Sequence, residues 1–415
     1  MSEFVPEGWK VQVLDKNVEI LSGFPFKSAL FSDNKNNIGL IRIRDLTKQT
    51  LETSYNGDFN DEFVIKKGDV LIGMDGDFHI VKWRVKNALL NQRICKIKAS
   101  IYSNFDTDFL FHSLQPELLS IHASTGATTV KHLSVKDIRG ISRPYPPLPE
   151  QQKIAAILTS VDEVIEKTQA QINKLKDLKT GMMQELLTRG VGVDGKPHTE
   201  FKDSPVGRIP KAWEVVKLDN VATIQSGAAK SSKLTGDLIE LPYLRVANVQ
   251  DGYLNLAEIK TIMIPRNKSE RFLLQNNDVL VNEGGDFDKL GRGSIWHSQI
   301  TPCAHQNHVF VVRTDSKKLS PMFFNHLSGS EYGKKYYMGC AKQTTNLASI
   351  NSTQLKQFPV LLPSLEEQDS ICEVLDSVDQ TIAKNQVKLA KNRNLKKALM
   401  QDLLTGKVRV KVDTE

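Results

Sequence analysis

The sequence predicts an α+β protein: two mixed, strand-rich globular domains in tandem, each followed by a long α-helix, with the two helices packed as an antiparallel coiled coil. Three observations carry this prediction. The chain of 415 residues reads as two similar halves; each half ends in some forty residues of heptad-spaced apolar side chains; and the stretches ahead of those helices break into short β-type runs separated by Gly, Asn and Asp.

Length and composition set the frame. At 415 residues the chain exceeds one ordinary core, and 40% hydrophobic with 25% charged residues is the balance of a globular protein. The opening MSEFVPEGWK has no basic stretch before an apolar core, and no run of 18 apolar residues follows, so a cytoplasmic protein away from membranes is expected. Cys95, Cys303, Cys340 and Cys372 form no CxxC pair and are expected to be ordinary buried thiols. The net charge of +7 suits a polyanionic partner.

The first domain, residues 1–147, contains β-type runs at Val11-Gln12-Val13-Leu14 and Gly39-Leu40-Ile41-Arg42-Ile43, and Pro144-Tyr145-Pro146-Pro147 closes it ahead of a helix start. The helical spacer 148–189 follows. A turn-rich linker, 190–209, leads to the second domain, 210–362, where Val309-Phe310-Val311-Val312 is another strand candidate. The second spacer, 363–406, is followed by a polar tail, 407–415. The domains echo each other: Pro6-Glu7-Gly8-Trp9 returns as Pro210-Lys211-Ala212-Trp213, Ser22-Gly23 as Ser226-Gly227, and GDVLIGMDG from Gly68 as NDVLVNEGG from Asn277, at a drifting offset. The spacers match without a gap. LPEQQKIAAILTSVDEVI from Leu148 aligns with LEEQDSICEVLDSVDQTI from Leu365, and the offset of 217 holds to Thr188 and Thr405. Fixed length beside variable domains points to a helix used as a ruler.

In the first spacer Ile154, Leu158, Val161, Ile165, Thr168, Ile172, Leu175, Lys179, Met182 and Leu186 follow alternating steps of four and three, the spacing of a coiled-coil seam. The second offers Ile371, Leu375, Val378, Ile382, Asn385, Leu389, Asn392, Lys396, Leu399 and Leu403. At 1.5 Å per residue each helix is about 55 to 60 Å long. Both begin acidic, with Glu150, Asp162 and Glu163 or Glu366, Glu367 and Asp376, and both end basic, with Lys174, Lys176 and Lys179 or Lys388, Lys391 and Lys396. Antiparallel packing sets acidic ends against basic ends, whereas parallel packing sets like against like.

Residues 150–189 carry zero net charge and 366–404 carry −1, so the excess positive charge resides in the domains, linker and tail. No GxxxxGK[ST] phosphate loop occurs, and Gly284-Gly285 and Gly291-Arg292-Gly293 read as turns. The only Pro-Pro, Pro146-Pro147, introduces the helix and lacks the flanking residues of an amino-methyltransferase motif. Asp251, Glu258 and Lys260 stand in a loose nuclease-like order that free spacing makes commonplace, and His305 and His308 are not completed by a third ligand; no metal site is predicted. For DNA the useful chemistry is Arg or Lys for guanine edges and phosphates, and Asn or Gln for adenine. The candidates are Arg42, Arg44, Lys82, Arg84, Asn91, Gln92 and Arg93 in the first domain, and Arg245, Asn248, Lys289, Arg292, Gln306, Asn307, Lys342 and Gln343 in the second.

With PPLPEQQKIAAIL opening the first helix, MMQELLTRG closing it, and PSLEEQDSICEVL and MQDLLTG repeating them, the chain resembles the specificity subunit of Type I restriction-modification systems over essentially its whole length. The resemblance implies target-recognition domains that each read one half of a bipartite, asymmetric site in double-stranded DNA. It implies helices that set the spacing and dock two methyltransferase subunits, with restriction subunits joining them. The partners would use S-adenosylmethionine, ATP and magnesium; this chain would bind none of them and would be no enzyme. One departure is the diverged seam, where Thr168 faces Asn385 and Leu175 faces Asn392 in the alignment. The alternatives are a coiled-coil adaptor that binds proteins only, which leaves duplicated basic domains unexplained, and a single-chain nuclease, which needs a motif the sequence does not offer.

Overall fold

Alternate residues of one strand feed two different cores, and this organises each half of the chain. The structure is a computed structural model that describes residues 5–124, 131–192, 195–231, 235–285, 287, 290–343 and 348–412. It forms two compact units, one made of Met1–Gln169 with Val387–Glu415, the other of Ala170–Gln386.

In the first unit, Val18–Ser22, Ile94–Ala99, Val70–Gly73 and Ile80–Lys82 form a four-stranded antiparallel sheet in that order. Every residue of Val70–Gly73 is buried, as a strand covered on both faces requires. Val70 and Ile72 join Phe109, Leu110, Ile154 and Leu158 in a core shared with helices. Leu71 and Ile94 join Ile41, Trp83 and Leu90 in a second core against a five-stranded sheet. That sheet runs Phe31–Ser32, Thr53–Tyr55, Ile38–Ile41, Ala88–Leu90, Val64–Ile65, with Ile38–Ile41 parallel to Ala88–Leu90. Lys10–Val13 pairs with Ser142–Tyr145, tying the first strand of the domain to the segment that leads into the long helix.

The second unit repeats the plan. Ala222–Ser226, Val309–Thr314, Val279–Asn282 and Gly293–Ile295 form the equivalent antiparallel sheet. Val279 and Val281 pack with Phe323, Phe324, Ile371 and Leu375, whereas Leu280 packs with Leu244 and Trp296. Leu238–Leu244 runs parallel to Ala304–His305, and Glu214–Lys217 pairs with Pro359–Leu362. Across the segment expected to be linker, 190–209, and the first residue beyond it, Phe201–Ser204 and Gly207–Pro210 form a hairpin.

The long helices run Leu148–Arg189 and Leu365–Leu403, about 63 and 58 Å at 1.5 Å per residue. They pack together antiparallel: in the first unit Lys396 Nζ lies 2.6 Å from Asp162 while Arg393 donates to Gln169, and in the second Lys179 Nζ lies 2.7 Å from Asp379. Ile154, Leu158, Ile172, Ile371, Leu375, Ile382, Leu389 and Leu403 are buried, and Val161, Ile165, Leu175, Met182, Leu186, Val378 and Leu399 are half-buried, whereas Leu178 and Leu395, off that spacing, are exposed. Truncating a buried leucine of such a seam costs about 2–5 kcal/mol.

The start of each helix is locked to its domain by one glutamine, and this explains the repeated EQ. Gln151, fully buried, donates to the Pro146 and Asn104 carbonyls and accepts from the Asp106 N–H. Gln368 donates to the Pro363 and Lys318 carbonyls and accepts from the Ser320 N–H. The preceding glutamates anchor the chain that follows each helix end. Glu150 accepts two bonds from Arg409, and Glu367 accepts from Trp213 Nε1, His198 Nε2 and the N–H groups of Val191 and Gly192. All four cysteines are free thiols; burial pushes Cys95, Cys303 and Cys372 up to about 12. Among the described residues no helix is long and apolar enough to cross a membrane.

Candidate nucleic-acid interface

In both units the same backbone frame presents a short polar turn at one end of the sheet. In the first unit the chain leaves Ala88–Leu90, makes the turn Asn91-Gln92-Arg93 and enters Ile94–Ala99. The segment after Val18–Ser22 grips that turn: Phe24 N–H donates to the Leu90 carbonyl, Gln92 N–H to the Phe24 carbonyl, and Gly23 N–H to the Ile94 carbonyl. In the second unit Ala228 N–H donates to the His305 carbonyl and Asn307 N–H to the Ala228 carbonyl. Hence Leu90, Gln92 and Arg93 correspond to His305, Asn307 and His308.

The close grip explains the repeated Ser-Gly. A Cβ on Gly23 would fall 2.0 Å from the Asn91 oxygen, and one on Gly227 would fall 2.1 Å from the His305 oxygen, so no other residue fits without moving backbone.

A second loop meets the turn from the side. Met74 N–H donates to the Arg93 carbonyl and Glu283 N–H to the His308 carbonyl; Leu133 N–H and Ile350 N–H in turn bind the Met74 and Glu283 carbonyls. Each turn thereby acquires a carboxylate. Arg93 Nη1 lies 3.3 Å from Asp75, whose other oxygen is 2.7 Å from His132 Nδ1, and His308 Nδ1 lies 2.5 Å from Glu283. The basic partners are more than half exposed, at 56% for Arg93 and 54% for His308, and the acids are less so, at 21% and 29%. Arg93 also holds φ at +74°, a left-handed backbone that a side chain of its kind rarely adopts.

Parallel strands end together, and this brings further candidates alongside. Ile41 pairs with Leu90, so Arg42 follows at the edge where Asn91 stands; Leu244 pairs with His305, so Arg245 follows beside Gln306, whose N–H bonds the Leu244 carbonyl. Lys342–Gln343 pairs with Ala348–Ser349, which pairs with Gly284–Gly285, next to Glu283. Arg292 stands across from Asn282 and donates to Gln250.

The remaining candidates are placed otherwise. Asn248 is buried with both amide hydrogens in use: it accepts from Arg245 N–H and donates to the Asn255 and Glu258 carbonyls, so its amide organises a loop and has no hydrogen left for a base. Lys82 pairs with Val70 at the opposite end of the sheet from Asp75, where it binds Asp108, and Arg84 beyond it is ion-paired to Glu166 of the long helix. Asn91 is itself buried, and Arg44 sits between Asp45 and Glu52. Lys289 lies outside the described residues.

His305 and His308 do not act together. The His305 ring is buried, donates Nδ1–H to the Val309 carbonyl and is pushed down to about 4 by desolvation, while His308 faces Glu283. Asp75, His132 and Glu283 are tip residues that the sequence reading did not single out. Aligning LNQRI from Leu90 with HQNHV from His305 marks the turn, but the acids come from a different segment.

Two domains of one fold, each joined to its own portion of an antiparallel helical pair and each ending in the same polar turn, define a tandem-repeat protein of bipartite design. The family model described as Type I restriction modification DNA specificity domain matches residues 6–177 and again 210–391, and the chain belongs to that family. It is 29% identical to the EcoBI specificity subunit of Escherichia coli, covering 97% of this chain and 87% of that one. It is 31% identical to the MjaVIII specificity subunit of Methanocaldococcus jannaschii, covering 85% and 82%. Among solved structures, the S subunit of a Type I restriction-modification system from M. genitalium superposes with a TM-score of 0.61 at 14% identity, over 96% of this chain and 99% of that one.

Proposed function

We propose that this chain is the non-catalytic, sequence-reading subunit of a Type I restriction-modification complex, in which each domain reads one half of a bipartite, asymmetric DNA site. The observation that carries the reading is the duplicated polar turn, set at the same place in both domains with a basic residue at its end and a carboxylate beside it, while the two helical spacers align without a gap. The paired helices then serve as the spacer between half-sites and as the docking surface for two methyltransferase subunits, which bring S-adenosylmethionine. Restriction subunits bring ATP and magnesium, and the complex works in the cytoplasm.

Methylation sequencing of DNA from cells that express the chain with its methyltransferase partner, against cells with the methyltransferase alone, tests this. A split motif that requires the chain is expected. Equal methylation in both would discard the reading in favour of a protein-only adaptor.

A further inference from the structure

We propose that Gln92 and Asn307, at the same position of the two turns, each read an adenine in their own half-site, and that Arg93 adds a guanine contact in the first. This rests on the DNA-reading function proposed above and names the residues that perform it.

The positions are equivalent by hydrogen bonding, since each residue's N–H donates to the carbonyl of the segment that grips the turn. Both hold a side-chain amide, as do the positions before them, Asn91 and Gln306, of which Asn91 is buried. An amide offers one acceptor and two donors in a plane, the complement of the adenine N6 donor and N7 acceptor in the major groove. Gln92 is exposed. Asn307 is half-buried and placed by its neighbour. His308 Nδ1 faces Glu283 and its Nε2 lies 3.2 Å from Asn307 Nδ2, so the tautomer with hydrogen on Nδ1 lets Nε2 accept one amide hydrogen. The Asn307 oxygen and its second N–H then remain to face a base, and His308 is a positioning residue.

Arg93 differs from His308 in having five N–H groups in a rigid fork. Asp75 engages Nη1 and leaves donors for the two acceptors on a guanine edge, O6 and N7. An exposed ion pair adds little to stability, so the contact with Asp75 does not offset the left-handed backbone of Arg93. Backbone held in such a region is characteristic of residues retained for what they touch.

The test is methylation sequencing with the full chain and its methyltransferase partner, comparing wild type with Gln92→Ala, Arg93→Gly and Asn307→Ala. Glycine suits the positive φ, and thermal melting checks that each variant folds. Gln92→Ala and Arg93→Gly are expected to relax the preferred base at separate positions of one half-site, and Asn307→Ala at a position of the other. Discrimination should fall roughly 5- to 150-fold at each position. An unchanged motif would overturn the proposal. So would methylation that falls evenly over all sites with the motif intact, the signature of a phosphate contact. If the wild-type chain directs no split motif, the underlying reading fails and this one with it; a wild-type motif that ignores the substitutions removes only the residue assignment.

Discussion

Asp45 and Asn248 occupy the same turn in the two domains and show how much one atom matters. Each side chain accepts a hydrogen bond from the backbone N–H three residues earlier, of Arg42 or Arg245. Asn248 goes on to use both of its amide hydrogens, whereas Asp45 is fully buried and its second oxygen, 3.9 Å from Arg44 Nε, has no hydrogen-bond partner among the described residues. Desolvation therefore holds the Asp45 carboxyl above its ordinary value of 3.8, against the pull of the Arg42 N–H and of Arg44. A raised carboxylate means that the folded state binds the proton more tightly, so its stabilising effect is full below 3.8 and is lost as pH rises through the folded value. Asp45→Asn removes that loss. Its melting temperature at pH 7 is expected to exceed wild type, by about 2–4 °C for each kcal/mol gained, and the difference should vanish near pH 3. Lower stability at pH 7 would show that Arg44 holds the ionised form. At this scale the sequence is least legible: Asn248 reads as a base-contacting amide because nothing in its neighbours announces that the loop folds over it. Asp75 and Glu283 are silent because an ordinary acid becomes part of the turn only through a hydrogen bond between distant segments.

The long helices are legible in the sequence, because a seam repeated over ten positions leaves few alternatives, and the acidic-to-basic ordering favours antiparallel packing. What the seam does not reveal is how the domains grip the helices, since Gln151 and Gln368 act through backbone carbonyls that carry no sequence signature. The hairpin Phe201–Ser204 with Gly207–Pro210 was missed because its strands are short and half polar. The ruler idea is testable on these elements. Deleting 170–176 together with 387–393 removes one heptad from each helix and keeps both Asp162–Lys396 and Lys179–Asp379 in register. Each helix shortens by about 10 Å, so the spacer between half-sites is expected to lose about three base pairs. A methylated motif of unchanged spacing would end the ruler model.

At the scale of the molecule, duplication was the strongest signal in the sequence, and both units follow it in the strand order of the four-stranded sheet and in the alternate residues that feed two cores, while the second sheet has five strands in the first unit and three in the second. The divergence is equally informative: Arg84 and Glu166, which brace the first domain against its helix, correspond to His297 and Ala383 in the second. Sequence comparison of the halves aligns the spacers readily and the domains poorly, since a helix tolerates no insertions along its seam while loops do.

The two ion pairs along the helices have a consequence for symmetry. Asp379 is the counterpart of Asp162 and Lys396 of Lys179, each 217 residues on, so both pairs are copies of a single contact. A fragment of residues 1–200 carries Asp162 and Lys179 together and can offer both sides of that contact to a second copy of itself. Such a fragment is expected to sediment as a homodimer and, with the methyltransferase, to direct methylation to a palindrome built from the first half-site alone. A monomeric fragment would show that the first helix needs a partner unlike itself, such as the second seam with Asn385 and Asn392 in place of Thr168 and Leu175.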